Sequence, residues 1–150
     1  MIKIRITMTD PIQTAQDRFT QGFNCSQAVF SAYASQVGID DETALKLASP
    51  FGGGVAHQGD VCGAVSGALM ALGLGRGSTT VDKKDETYRL AEDFIRRFQE
   101  RHGSILCRGL IGHNISTAAG LQSAREQKVV KTICPGLIKD ATEIVAEFLK

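Results

Sequence analysis

Four cysteines carry the most distinctive chemistry in this 150-residue chain: Cys25, Cys62, Cys107 and Cys134. They are dispersed over most of its length. They form no CxxC, no CxxCH and no cysteine–histidine pattern of the zinc-finger kind. At least three stand at what read as helix starts, where unpaired N–H groups and the helix dipole favour a thiolate and lower its pKa. Two kinds of chemistry fit thiols in such places: dithiol/disulfide exchange, and metal ligation by thiolates. Four thiolates suit Zn²⁺ or an iron–sulfur cluster, although structural zinc sites usually take their ligands in close pairs.

The local settings differ. Asn24 reads as the N-cap of a helix that opens with Cys25. Asp60 reads as the cap of another, placing Cys62 in its first turn behind the glycine loop Gly52–Gly59. Gly63 and Gly67, four residues apart, lie on one face of that helix, where each lowers helix stability by about 1 kcal/mol relative to alanine. The space they leave has two compatible explanations: close approach of another helix, and access of a partner group to Cys62. Cys134 precedes Pro135, a residue favoured at a first helical position, so Cys134 reads as the N-cap of the last helix, with Lys131 and Lys139 adding positive potential. Arg108 sits beside Cys107 and would favour its thiolate, unless it is an ordinary surface residue. His57, His102 and His113 fit no ligand spacing and read as loop or surface residues. Gly52-Gly53-Gly54 lacks the preceding strand and the Lys-Ser/Thr of a phosphate-binding loop, and no Ser-His-Asp or HExxH arrangement supports hydrolysis.

The elements that must position these residues are helices. Helical spacing predicts segments from Pro11 to about Gly22, Cys25 to Val37, Asp40 to Ser49, Val61 to Leu74, Thr80 to Arg101, a short turn around Cys107, Leu121 to Thr132, and Pro135 to Leu149. The fold expected is all-α, a single-domain bundle over residues 1–150 with about six to seven helices. Residues 1–9 alternate Ile2, Ile4, Ile6 and Met8 with polar neighbours, a strand pattern. That extended arm would pair with its own copy in a homodimer or stay a mobile tail.

Bulk properties narrow the partners. Seventeen basic and sixteen acidic side chains leave a formal charge of +1, and there is no Trp. Neither an electrostatic footprint nor a stacking platform for nucleic acid is present. No apolar run reaches the ~20 residues of a membrane span, and the N-terminus lacks a signal-peptide core. The expected setting is cytoplasmic, where a static disulfide framework is disfavoured and dispersed cysteines point to working thiols or a metal.

These residues resemble the four-cysteine family of redox-active proteins labelled C_GCAxxG_C_C. Its members are about this long and carry a CGAxxG motif. Here that motif stands as Cys62-Gly63-Ala64-Val65-Ser66-Gly67, with Asn24-Cys25-Ser26-Gln27-Ala28-Val29 before it and Gly67-Ala68-Leu69-Met70-Ala71-Leu72-Gly73-Leu74 running on from it. Cys107 and Cys134 take the two later family positions. The resemblance implies a redox role. Members often lie near transporter genes, which implies metal or small-molecule handling.

The expectation is therefore a thiol redox protein, an oxidoreductase or electron carrier, acting on a redox partner or a small molecule. Cys62 is expected to be the most acidic thiol and the attacking one, Cys25 its resolving partner, and Cys107 with Cys134 a second couple. No cofactor is required on this reading. The alternatives are a Zn or iron–sulfur site built from the same four cysteines, and a helical binding module whose cysteines are structural. The four sulfurs are expected to meet at one place lined by the Gly52–Gly59 loop.

Overall fold

A computed structural model of the chain describes residues 10–150. The alternating segment at 1–9, read above as an extended arm, lies outside the described residues. Among those described there are eight α-helices and no strands: α1 Pro11–Thr20, α2 Cys25–Ala32, α3 Asp41–Ala48, α4 Gly63–Arg76, α5 Lys84–His102, α6 Cys107–Ile111, α7 Ala118–Glu126 and α8 Val129–Phe148. The all-α expectation holds, with more helices than the six or seven predicted.

Side-chain caps set several of the starts. The Asp10 carboxylate accepts from the Ile12 N–H, and Asp40 caps α3 through Thr43. At α2, Asn24 accepts from the Gln27 N–H while Gln27 accepts from the Asn24 N–H, a reciprocal capping box. Gly103 and Gly112 end α5 and α6 in left-handed conformation.

The core has two parts. The larger is formed chiefly by α2, α4, α5 and α8, with Phe30, Tyr33, Phe94, Phe98, Ile138 and Ile144 fully buried. Tyr33 donates its buried hydroxyl to the Thr142 carbonyl at 2.6 Å. The smaller cluster joins Cys107, Ile111, Ile115, Ala124, Val129 and Cys134. Helix α4 lies so close to α2 that a Cβ on Gly67 would stand 2.6 Å from the Ser26 carbonyl oxygen. The glycine face is thus a helix-crossing surface. Arg97 and Arg101 bind Glu147 and Glu143 and tie the polar face of α5 to α8.

Helix α5 begins at Lys84 instead of Thr80 and α7 at Ala118 instead of Leu121, and two predicted starts beside cysteines are also corrected. Helix α4 begins at Gly63, two residues later than expected, and Cys62 itself is the N-cap residue in place of Asp60. The Cys62 N–H donates to the Ile105 carbonyl and the Cys107 N–H to the Asp60 carbonyl, both at 2.7 Å. This short antiparallel bridge, Val61 opposite Leu106, holds residues 60–62 extended. The last helix starts at Val129, not at Pro135, so Cys134 lies inside it. An internal proline lowers helix stability by about 3 kcal/mol. The apolar stripe Val129, Leu137, Ile138 and Ala141 nevertheless runs on through Pro135 into buried packing. The carbonyl that the proline leaves without its N–H partner is that of Lys131, an exposed residue.

Candidate functional site

The four cysteines are free thiols gathered at the seam between the two core clusters. Cys25 enters from the start of α2, Cys62 from the cap of α4, Cys107 from the start of α6, and Cys134 from the second turn of α8. Cys25 is half-buried, and the other three are buried. The charge of an ionised Cys25 acts on each of the other three sulfurs. Cys25, Cys107 and Cys134 line one common pocket.

Cys25 is the acidic thiol. A side-chain hydrogen bond from Cys134 is the largest influence and lowers its pKa; burial opposes it; the N–H groups of Gly53, Cys25 and Ser26 lower it further, to about 7 against an ordinary 9.0. Two of those N–H groups are the free donors of the α2 first turn, and the third comes from the glycine loop. The same hydrogen bond, together with burial and the Cys25 charge, pushes Cys134 far upward.

The expectation that Cys62 is the most acidic thiol is overturned. Burial, then the charge of Cys25, pushes it up to about 12. The N–H groups of Ala64 and Val65 favour its thiolate but make no capping hydrogen bond with it, and they are outweighed. Burial and Cys25 likewise raise Cys107 to about 11. Arg108 does not hold Cys107 as a thiolate: its guanidinium stands 3.7 Å from Asp60, both being about half exposed. Lys131 and Lys139 are exposed and are not among the main influences on the Cys134 pKa.

Gly63 makes room for the Cys25 sulfur. A Cβ there would lie 3.2 Å from Cys25 Sγ and 3.0 Å from the Ser26 nitrogen. The glycine loop lines the site as expected, but its conformation was not legible in sequence. Gly53, Gly54, Val55, Ala56 and His57 all have positive φ, between 49° and 67°. Such a φ is an outlier for a β-branched residue such as Val55. Strain of about 1–3 kcal/mol per residue persists only where surroundings enforce it, and it collects at functional sites. Here the Asp60 N–H donates to Gly54 O and the Arg108 N–H to Gly59 O, anchoring the turn. A Cβ on Gly54 would stand 2.7 Å from Cys107 Cβ. The turn thereby sets both the Gly53 N–H against Cys25 and the path of the chain beside Cys107.

A partly open pocket of about 260 Å³ lies in front of Cys25, lined also by Cys107 and Cys134 but not by Cys62. Most of its walls are aliphatic or aromatic, from α1, α6, α7 and α8. Sequence reading did not find these walls, because they come from five segments far apart in the chain. His57 borders the pocket, consistent with its expected loop role. His102 lies 2.8 Å from Asp140, and His113 Nδ1 is 2.8 Å from the Ile111 carbonyl oxygen; neither lines the pocket.

No group of three or more His, Cys, Asp or Glu among the described residues is arranged to hold a metal ion. The expectation of a four-thiolate zinc or iron–sulfur site gains no support from this geometry. No described helix is long and apolar enough to cross a membrane.

Comparison with known proteins gives one result. No curated protein and no solved structure matches the chain. A family model described as "Putative redox-active protein (C_GCAxxG_C_C)" matches residues 23–148, nearly the whole chain and all four cysteines. The match spans Cys25, Cys62, Cys107 and Cys134, and the chain belongs to this four-cysteine redox-active family.

Proposed function

We propose that the protein is a thiol–disulfide exchange protein in which Cys25 attacks and Cys134 resolves. One observation carries this reading: the acidic thiol faces a pocket that a second, far less acidic thiol also lines. A thiol attacks best when its pKa lies near ambient pH, because it is then both ionised and nucleophilic. Cys25 meets that condition at about 7.

The step runs as an exchange. The Cys25 thiolate attacks one sulfur of a substrate disulfide; a new S–S bond forms and the first substrate thiolate leaves with the electron pair, taking a proton from solvent. Cys134 then gives up its proton and attacks the Cys25 sulfur. The second substrate group leaves as a thiol, and a Cys25–Cys134 disulfide remains. The substrate gains two electrons and the protein dithiol loses two. An external dithiol resets the protein by the reverse exchange. Cys62 and Cys107, joined through the Val61–Leu106 bridge, supply a second couple behind the first.

Mass mapping after brief exposure to a small disulfide tests this assignment. The first intramolecular bond should join Cys25 to Cys134, and Cys25→Ala should abolish it. A first bond between Cys62 and Cys107, with Cys25 still free, would overturn the assignment.

A further inference from the structure

We infer that the pocket in front of Cys25 binds a small disulfide with an apolar body and an anionic group, and that Arg125 receives the anion. This rests on the exchange reading above and names its substrate class. The pocket's size sets the scale of the ligand: about 260 Å³, just under the roughly 300–1,000 Å³ of sites for drug-sized molecules. Its walls set the body. Phe19, Phe23, Ile111, Ile115, Leu121 and Val130 offer only apolar surface, and dry walls favour an aromatic or aliphatic group. The three thiols on the pocket set the reacting group.

Charge sets the rest. No Asp or Glu lines the pocket. Arg125 does, and among the described residues its guanidinium forms no salt bridge and no side-chain hydrogen bond. Arg18, Arg96, Arg97, Arg101 and Arg108 each face a carboxylate; Arg76 bonds the Phe148 carbonyl, and neither it nor Arg89 lines the pocket. An arginine fork without a protein carboxylate, beside an apolar pocket, matches the bidentate geometry of a ligand carboxylate. It also offsets the repulsion between an anionic ligand and the Cys25 thiolate. The exchange follows the balance given above, with the ligand disulfide as oxidant and two ligand thiols as products.

Stopped-flow rates of oxidation of the full chain decide this, using three symmetric disulfides: dithiobis(nitrobenzoate), aromatic and anionic; dithiodipyridine, aromatic and neutral; and cystamine, cationic without an aromatic body. Each rate is divided by that of the same reagent with a free model thiol. The wild type should prefer the anionic aromatic reagent. Arg125→Ala should slow that reagent about tenfold at low salt, within the range of electrostatic steering, and leave the neutral one within about twofold. Arg125→Lys should restore part of the difference, and Arg125→Glu should reverse the preference. Iodoacetamide labelling of Cys25 shows whether the thiolate itself is intact in each variant. Equal rates in wild type and Arg125→Ala, or equal losses for anionic and neutral reagents, would overturn the ligand assignment and leave the exchange reading standing. A Cys25 inert to all three disulfides and to iodoacetamide would overturn both.

Discussion

Removing the Cys134 thiol should slow Cys25 at neutral pH by a calculable amount. In Cys134→Ala the strongest influence holding Cys25 at about 7 is gone, while burial, which raises it, remains. The three backbone N–H groups then work against burial alone, and the pKa returns toward its ordinary 9.0. At pH 7 a change from 7 to 9 lowers the thiolate fraction about 50-fold. Each thiolate becomes more nucleophilic as its basicity rises, by about six- to tenfold over two pKa units for a Brønsted slope of 0.4–0.5. The net loss in alkylation rate at pH 7 is about five- to eightfold, and the high-pH plateau rises by the same nucleophilicity factor. Cys134→Ser keeps a donor at the position and should hold the midpoint nearer that of the wild type. The assay is the iodoacetamide rate from about pH 5.5 to 10, read peptide by peptide for each cysteine. A Cys25 midpoint that stays near 7 in Cys134→Ala would refute the sulfur–sulfur hydrogen bond as the cause. A wild-type midpoint near 9 would refute the identification of Cys25 as the acidic thiol.

Other substitutions test the scaffold. Gly67→Leu places a Cβ 2.6 Å from Ser26 O and 3.2 Å from the Phe30 nitrogen, both backbone atoms that cannot rotate away; it should destabilise the fold by about 1–3 kcal/mol or more in urea titration. Gly73→Ala, with nothing within 4 Å, should stabilise by up to about 1 kcal/mol, and a loss there would undercut the packing account. Val55→Gly relieves a left-handed β-branched residue; the relief of about 1–2 kcal/mol exceeds the entropy that glycine adds to the unfolded chain, so urea midpoints should rise, and a fall would show that Val55 is not strained. Cys25 also links stability to pH. Its folded pKa is below its ordinary value, so its contribution is complete above about 9 and is lost as pH falls through about 7. The stability difference between wild type and Cys25→Ser should therefore shrink on acidification from about pH 8.5 to 6, and a pH-independent difference would refute the linkage.

Much of the helical scaffold could be read in advance because its signals are local. The Asn24–Gln27 capping box fixes the start of α2, the left-handed Gly103 ends α5, and the apolar spacing of Phe94 and Phe98 puts one face of α5 in the core. The glycine face of α4 was legible for the same reason: Gly63 and Gly67 disfavour a helix interior, so a neighbour had to need the space. Tertiary contacts decided the features that were missed. Pro135 signals a helix start locally, yet the buried stripe from Val129 to Ala141 carries α8 through it. Asp60 is a good cap by residue type, but its carbonyl accepts from Cys107, and the bridge so formed moves the helix start to Gly63. The pocket walls and Arg125 left no pattern because no local period connects Phe19, Ile111, Leu121 and Val130.

The recurrence of thiols near helix starts pointed to Cys62 as the acidic thiol, whereas Cys62 is pushed up and Cys25 is held down, and the reason is physical. A helix N-terminus lowers a thiol pKa only where its donors outweigh the desolvation of the thiolate. Cys25 has its own and the Ser26 N–H, the Gly53 N–H from the strained turn, and the Cys134 thiol, with one side open to the pocket. Cys62 has Ala64 and Val65 but is only 4% exposed within the main core, and burial decides its direction. Cys107 opens a helix of only five residues, too short to offset its own burial. Cys134, in the second turn of α8 and past its free N–H groups, serves as the donor. Four chemically identical side chains thus take different roles through the balance of donors and burial at each one, and that balance exists only after α2, α4, α6 and α8 have met.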